Sequence, residues 1–147
     1  MSIWFTQPTP EAANKMHEDT IVDQLGIRFA HVGEDFIVGT MPVDYRTLQV
    51  NGILHGGASV TLAETLASYA ANSCVDQEKY YCVAIDVNAN HIRQAHKGSV
   101  TGMARPIHIG RKTQVWRIEI NDANDQPICE SRLTMAVIER DEQFNKS

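Results

Sequence analysis

Between Thr47 and Val75 the chain carries a single charged side chain, Glu64. Its neighbours three and four positions away on a helix are Val60, Thr61, Ala67 and Ser68, so no local cation pairs with it. A carboxylate buried without a cation resists ionisation, because desolvation raises its pKa, and it can serve as a base or nucleophile near neutral pH. A plainer reading, a helix-forming Glu on a solvated stripe, is the one that composition by itself favours. Upstream stands Gln49-x-Asn51-Gly52-x-x-His55-Gly56-Gly57, an amide, an imidazole and two glycines at the start of a helix. Glycine leaves the first helical N–H groups uncovered at the positive end of the helix dipole, which suits a carbonyl oxygen that becomes an oxyanion. His55 reads equally well as a capping or packing residue, and Gly56-Gly57 as a tight helix start.

A third feature is electrostatic. Residues 87 to 118 contain no Asp or Glu, yet hold Arg93, Lys97, Arg105, Arg111, Lys112 and Arg117, six of the 13 basic residues. In a chain of net charge −5 this asymmetry predicts an anion site, with two hairpin loops carrying Arg93 and Gly110-Arg111-Lys112 converging on phosphates. The competing explanation is cationic turns that protect sheet edges. His17, His31 and His96 read as surface residues, while His91 and His108 flank the basic loops. No His/Cys spacing suits a metal, and no Gly-x-Ser-x-Gly elbow supports serine-hydrolase chemistry.

The elements that must position these groups follow from periodicity. Thr9 and Pro10 read as N-cap and first residue of a helix running through Ala12 to His17. A short helix is expected over Ile21 to Leu25, then a hairpin turning at Gly33-Glu34-Asp35 and a loop reaching a tight turn at Asn51-Gly52. From Gly56 to about Ser73 the composition is Ala, Leu, Val, Thr and Ser without proline, which predicts the principal helix. Ala58, Ser59, Ala63, Ala67, Ser68, Ala70 and Ala71 make it small on nearly every face, so a buried helix wrapped by other backbone is expected. Four β-like stretches follow: Tyr80 to Ile92, Gly98 to His108, Gln114 to Ile120 and Ile128 to Ile138. Their separators, Gln94 to Lys97, Ile109 to Thr113 and Asn121 to Pro127, read as hairpin loops. The fold class expected is α+β, an antiparallel sheet packed on one helix.

At 147 residues with 43% apolar composition, the chain is long enough to bury one core without staples, and a single domain spanning 1–147 is expected. The acidic balance argues against nucleic acid and anionic membrane as partners. Cys74, Cys82 and Cys129 form no C-x-x-C pair, and neither a leader nor an 18-residue apolar run is evident, so a cytoplasmic protein is expected.

His55-Gly56-Gly57-Ala58-Ser59 followed by Leu62-Ala63-Glu64-Thr65 resembles the signature of the hotdog-fold acyl-CoA thioesterases. Met41-Pro42-Val43-Asp44-x-Arg46-Thr47-x-Gln49, Ile85-x-Val87-Asn88-Ala89-Asn90-His91-Ile92-Arg93 and Gln114-Val115-Trp116-x-Ile118-Glu119-Ile120 are similar to the bacterial 1,4-dihydroxy-2-naphthoyl-CoA hydrolases of menaquinone synthesis. Val50-Asn51 replaces the more usual Pro-Phe of those enzymes. The resemblance implies a hotdog fold, an acyl-CoA substrate, no cofactor beyond the coenzyme A within that substrate, and a homotetramer. It implies that Glu64 is the catalytic carboxylate, that His55 and the Gly56 N–H polarise the thioester carbonyl, and that Gln49 and Ser68 position substrate or water. Ala84, the run His91, Ile92, Arg93 and Gln94, and the run His108, Ile109, Gly110, Arg111, Lys112 and Thr113 match the family's coenzyme A contacts.

Nine residues separate His55 from Glu64, about 13.5 Å along a helix, whereas reacting groups must lie within ~3 Å of one another. The carboxylate is therefore expected from a neighbouring subunit's helix, with a dimer as the minimum active unit. Two other readings stand beside that of a thioesterase: a hydratase or dehydratase acting on acyl-CoA or acyl carrier protein, whose His/Glu pair His55 and Glu64 superficially match, and a non-catalytic acyl-CoA-binding module, which would tolerate loss of Glu64.

Overall fold

A computed structural model of the chain describes residues 1–141. Helix α1 (Pro10–Met16) is capped by Thr9, whose side chain accepts from the Ala12 N–H, and α2 (Ile21–Gln24) is capped by Thr20. They precede a hairpin of β1 (Arg28–Val32) and β2 (Ile37–Pro42), then the long helix α3 (Gly56–Ser73). β3 (Tyr80–His91), β4 (Ser99–Ile109), β5 (Thr113–Asn121) and β6 (Pro127–Glu139) complete a six-stranded sheet of order β1-β2-β4-β5-β6-β3. Every pairing is antiparallel. The expected α+β hotdog architecture is thus present, with the sheet curved about α3.

Helix α3 buries Leu62, Ala63, Leu66, Ala67, Ala70 and Ala71 completely, at the i, i+3, i+4 spacing that makes one apolar face. Against it stand Met41, Val100, Trp116, Ile118, Leu133 and Met135, all fully buried, each Leu-sized side chain contributing ~1.5–3 kcal/mol by leaving water. Two glycines set the depth at which the helix lies. Gly39 and Gly102 are register partners across β2 and β4, and a Cβ on either would meet Leu66, at 2.5 and 2.9 Å respectively. The notch they leave seats Leu66 and fixes the middle of α3 on the sheet. Trp116 is satisfied inside this core by donating to Gln114 Oε1 at 2.9 Å, and Gln114 donates in turn to the Ala71 carbonyl at 3.4 Å.

Two expectations are corrected. Gln94 to Lys97 is not a hairpin: β3 pairs with β6, not β4, so the chain leaves the sheet edge after His91 and crosses to β4 in the interior of the sheet. On the way it is tied to the start of α3, the Leu54 N–H donating to the Ala95 carbonyl at 2.8 Å. Nor is α3 enclosed on every side. The face bearing Val60, Thr61, Glu64, Thr65, Ser68, Tyr69 and Asn72 is only half-buried, because one sheet covers one face of a helix. No helix among the described residues is long and apolar enough to cross a membrane.

Candidate active site

The start of α3 is built by the loop that precedes it. Asp44 and Arg46 form a two-pronged pair at 3.1 and 2.7 Å, and the hydrogen-bonded guanidinium holds the Asp44 carboxyl below its ordinary pKa. Buried Thr47 donates to the Pro42 carbonyl at 2.7 Å, and its own carbonyl receives the His55 N–H at 2.8 Å. Between them a small hairpin closes, with Gln49 N–H donating to Ile53 O at 2.8 Å and Gly52 at φ 77°, a turn conformation that costs Gly little. Gln49 Oε1 accepts from the Asn51 N–H. Gln49 is thereby held beside the first turn of α3.

His55 is the N-cap, its Nδ1 accepting from the Gly57 N–H at 2.8 Å. The capping interpretation is therefore correct for one ring nitrogen, and it has a consequence for the other. A neutral ring that accepts at Nδ1 carries its proton on Nε2, so the exposed imidazole offers a donor. Gly56, the first helical residue, has no intrahelical acceptor for its N–H, and none is found among the described residues. His91 closes the other side: a Cβ on Gly56 would lie 2.8 Å from its Nε2. Gln49, Leu54, Gly56, Ser59 and the run His91 to Ala95 line a cleft of about 410 Å³.

Glu64 lies elsewhere. It is half-buried in a second, larger cleft of about 570 Å³ along the open face of α3, shared with Thr61, Thr65, Ser68, Tyr69 and Asn72. The full burial on which the argument for a resistant carboxylate rests is not met within one chain. Ser68, one turn on from Glu64, lines the same cleft. His17 does not lie on the open surface as the sequence suggested. It caps α1, donates from Nδ1 to the Ala13 carbonyl at 2.7 Å, and packs against Phe29 and Tyr69 with ring centroids 5.2 and 5.9 Å away. The only sequence signal for it was position, at the C-terminus of a helix whose destination the sequence leaves undetermined.

Gly110 and Arg111 border a third cleft of about 340 Å³ with Phe5, Tyr80 and Val137. Lys112 ties this turn to β6, its carbonyl accepting from the Val137 N–H at 2.9 Å. His108 packs over Gly110, where a Cβ would lie 2.5 Å from the imidazole Nε2, and Ala84 pairs with Met135 beside it. Arg111, Lys112 and Thr113 are exposed, as are Ile92, Arg93, Gln94 and Ile109. The two basic loops do not converge in one chain. Thr113 is level with Ala136 on β6 and His91 with Cys129, seven residues apart, or about 23 Å at ~3.3 Å per residue. They lie toward opposite ends of the strand because Arg93 follows β3, at the end of the molecule where α3 begins. His31 and His96 are exposed, and Cys82 and Cys129 are buried.

The arrangement thus holds Gly56 and Gln49 in one cleft, with His55 capping the helix beside it, and a carboxylate with a hydroxyl (Glu64, Ser68) in another. Comparison with known proteins supplies the family. Residues 51–129, which contain His55, Gly56, Glu64 and Ser68 but not Gln49, match the thioesterase superfamily model. The chain is 48% identical to the 1,4-dihydroxy-2-naphthoyl-CoA hydrolase of Escherichia coli K12, over 92% of this chain and 99% of that one. It is 42% identical to the proofreading thioesterase EntH of Cronobacter turicensis, over 92% and 98%. The crystal structure of a mutant of thioesterase PA1618 from Pseudomonas aeruginosa superposes with a TM-score of 0.93 at 47% identity, covering 95% of this chain and 100% of that one. By family model, sequence identity and fold together, the chain belongs to the thioesterase superfamily and is a thioester hydrolase of the hotdog fold.

Proposed function

We propose that this chain hydrolyses the coenzyme A thioester of a hydroxylated aromatic acid, of which 1,4-dihydroxy-2-naphthoyl-CoA is the reference substrate, in a site assembled from two copies. The observation that carries the reading is the division of the polar groups. Glu64 with Ser68, and Gln49 with Gly56 and His91, occupy different clefts of one chain, with Glu64 about 12 Å from Gly56 along α3. The edge strand β3 has one neighbour, β6, and exposes Val83 (38%) and Ile85 (62%). An unpaired edge with apolar side chains is a template for a second copy. Antiparallel pairing along β3 runs two α3 helices in opposite directions and sets the first turn of one beside the middle of the other. The 48% identity to the naphthoyl-CoA hydrolase supports the acyl class.

In such a site the Gly56 N–H and the His55 Nε2–H donate to the thioester oxygen and stabilise the charge that develops on it. Glu64 then acts in one of two ways. As nucleophile, its carboxylate attacks the carbonyl carbon, the C–S bond breaks, and the thiolate leaves; water hydrolyses the resulting mixed anhydride and restores the carboxylate. As base, Glu64 accepts a proton from water, whose oxygen attacks the carbonyl, and the proton passes to the departing sulfur. Arg111 and Lys112 supply cations for the nucleotide phosphates. No cofactor enters either route.

A thiol-release assay across aryl, hydroxyaryl and aliphatic CoA thioesters tests the reading. The expected result is the highest kcat/KM for a hydroxyaryl thioester; a preference for saturated aliphatic chains would refute the acyl class.

A further inference from the structure

We propose that His17 is a specificity-determining residue, whose Nε2 accepts a hydrogen bond from a ring hydroxyl of the acyl group; this rests on the two-chain aroyl-CoA site proposed above. The observations are local to the larger cleft. A carbonyl oxygen can only accept, so the 2.7 Å contact between His17 Nδ1 and the Ala13 carbonyl places the proton on Nδ1. With the proton on Nδ1, the neutral form of the ring presents Nε2 as a lone pair, and no described residue donates to it. The ring cannot turn to exchange its nitrogens without losing that bond, and Phe29 and Tyr69 pack against it at centroid distances of 5.2 and 5.9 Å. Phe29 and Tyr69 themselves stack at 5.0 Å, so the three rings form one rigid wall.

Through His17 and Tyr69 the wall lines the same cleft as Glu64. Tyr69 follows Glu64 by five residues on α3, about 7.5 Å along the axis, roughly the reach from a carbonyl carbon beside Glu64 to the far side of an aromatic ring. Met16 (64% exposed) and Ile21 (60% exposed) extend the same cleft, offering apolar contact to the ring faces. Burial pushes the Tyr69 phenol above its ordinary pKa, so it remains neutral and adds no charge. An aromatic wall that carries a fixed acceptor at His17 takes a ring carrying a hydroxyl donor. It penalises the unsubstituted ring, because Nε2 is then desolvated without a partner. A carboxylate or other acceptor at the same ring position is disfavoured for the same reason.

The experiment compares benzoyl-CoA with its 2-, 3- and 4-hydroxy derivatives by kcat/KM, in the full-length protein and in His17→Phe, which keeps an aromatic ring against Phe29 and Tyr69. The wild-type chain is expected to prefer the 3- or 4-hydroxy ester over benzoyl-CoA by about tenfold, and His17→Phe to bring that ratio within about twofold of unity. Activity on benzoyl-CoA itself is expected to rise in His17→Phe, because binding the unsubstituted ring no longer desolvates an unpaired Nε2. His17→Gln, which can donate its amide to the Ala13 carbonyl and present its oxygen, is expected to restore part of the preference and serves if the Phe variant does not fold. An unchanged ratio in both folded variants overturns the assignment of His17 while leaving the thioesterase reading intact. Absence of turnover on every aroyl-CoA overturns both. Equal loss on all four esters assigns His17 a structural role and overturns selection.

Discussion

The first turn of α3 and its middle belong to one helix, yet they act through different physics. At the first turn the chemistry is in the backbone: the Gly56 N–H is available because helices begin with unpaired donors, and His55 is oriented by capping the Gly57 N–H at 2.8 Å. At the middle every backbone group is paired within the helix, so only side chains can act, and Glu64 and Ser68 face a cleft walled by Tyr69 and His17. In the mechanism proposed above, one end polarises and the other attacks. A rigid helix that holds both at a fixed separation cannot bring them together, and this is why the proposed site draws on a second copy.

The strongest test of that division is to remove the attacking half. Glu64→Gln is expected to lower kcat by at least ~10² while leaving binding of the CoA ester nearly unchanged, since the role of base or nucleophile is worth at least that much. Retention of more than a tenth of wild-type kcat would remove Glu64 from the mechanism. Complementation tests the separation itself. When equal amounts of His55→Ala and Glu64→Gln chains are unfolded together and refolded, half the dimers are mixed, each with one intact site of two. Activity is then expected to return to about a quarter of wild type, measured against each variant refolded alone. Recovery no higher than the mean of the two would place both groups of a site in one chain.

Smaller effects are expected away from the reacting atoms. Arg111→Ala should raise KM for acyl-CoA about tenfold, as for a lost charged hydrogen bond of ~1.5 kcal/mol, and matter far less for a thioester lacking the nucleotide. Equal effects on the two substrates would move Arg111 out of the phosphate site. Gly39→Ala places a Cβ 2.5 Å from Leu66; the overpacking is expected to cost ~1–3 kcal/mol, read as a lower midpoint in urea, with the middle of α3 displaced and kcat affected more than KM. A midpoint equal to wild type would show that the notch is not what seats the helix. The thiols give the smallest signal. Burial pushes Cys74 up to about 12 and Cys82 to about 11 and raises Cys129 as well. The folded chain is therefore expected to leave a colorimetric disulfide reagent almost unreacted at pH 8, against three thiols in denaturant. Rapid labelling of the native chain would contradict that burial.

The legibility of these regions in the sequence differed for physical reasons. Local rules determined the elements: Thr9 and Pro10 at the start of α1, the small-residue run Gly56–Ser73, and alternating apolar residues in β4, β5 and β6 all depend on neighbours a few positions away. The isolation of Glu64 and the two glycines after His55 were equally visible, because charge and missing side chains are properties of the sequence itself. Strand order was not. The expected turn at Gln94 to Lys97 became a crossing connection because β3 finds its partner in β6, a choice made by which faces the whole sheet can bury. The same long-range packing separated Arg93 from Arg111, left one face of α3 open, and brought His17 from the end of α1 against Tyr69 on α3. The sequence by itself therefore determined which groups are present to do chemistry and which helix carries them. Only the tertiary structure decided which of them share a cleft, because that depends on contacts between residues far apart in the chain, which no local periodicity encodes.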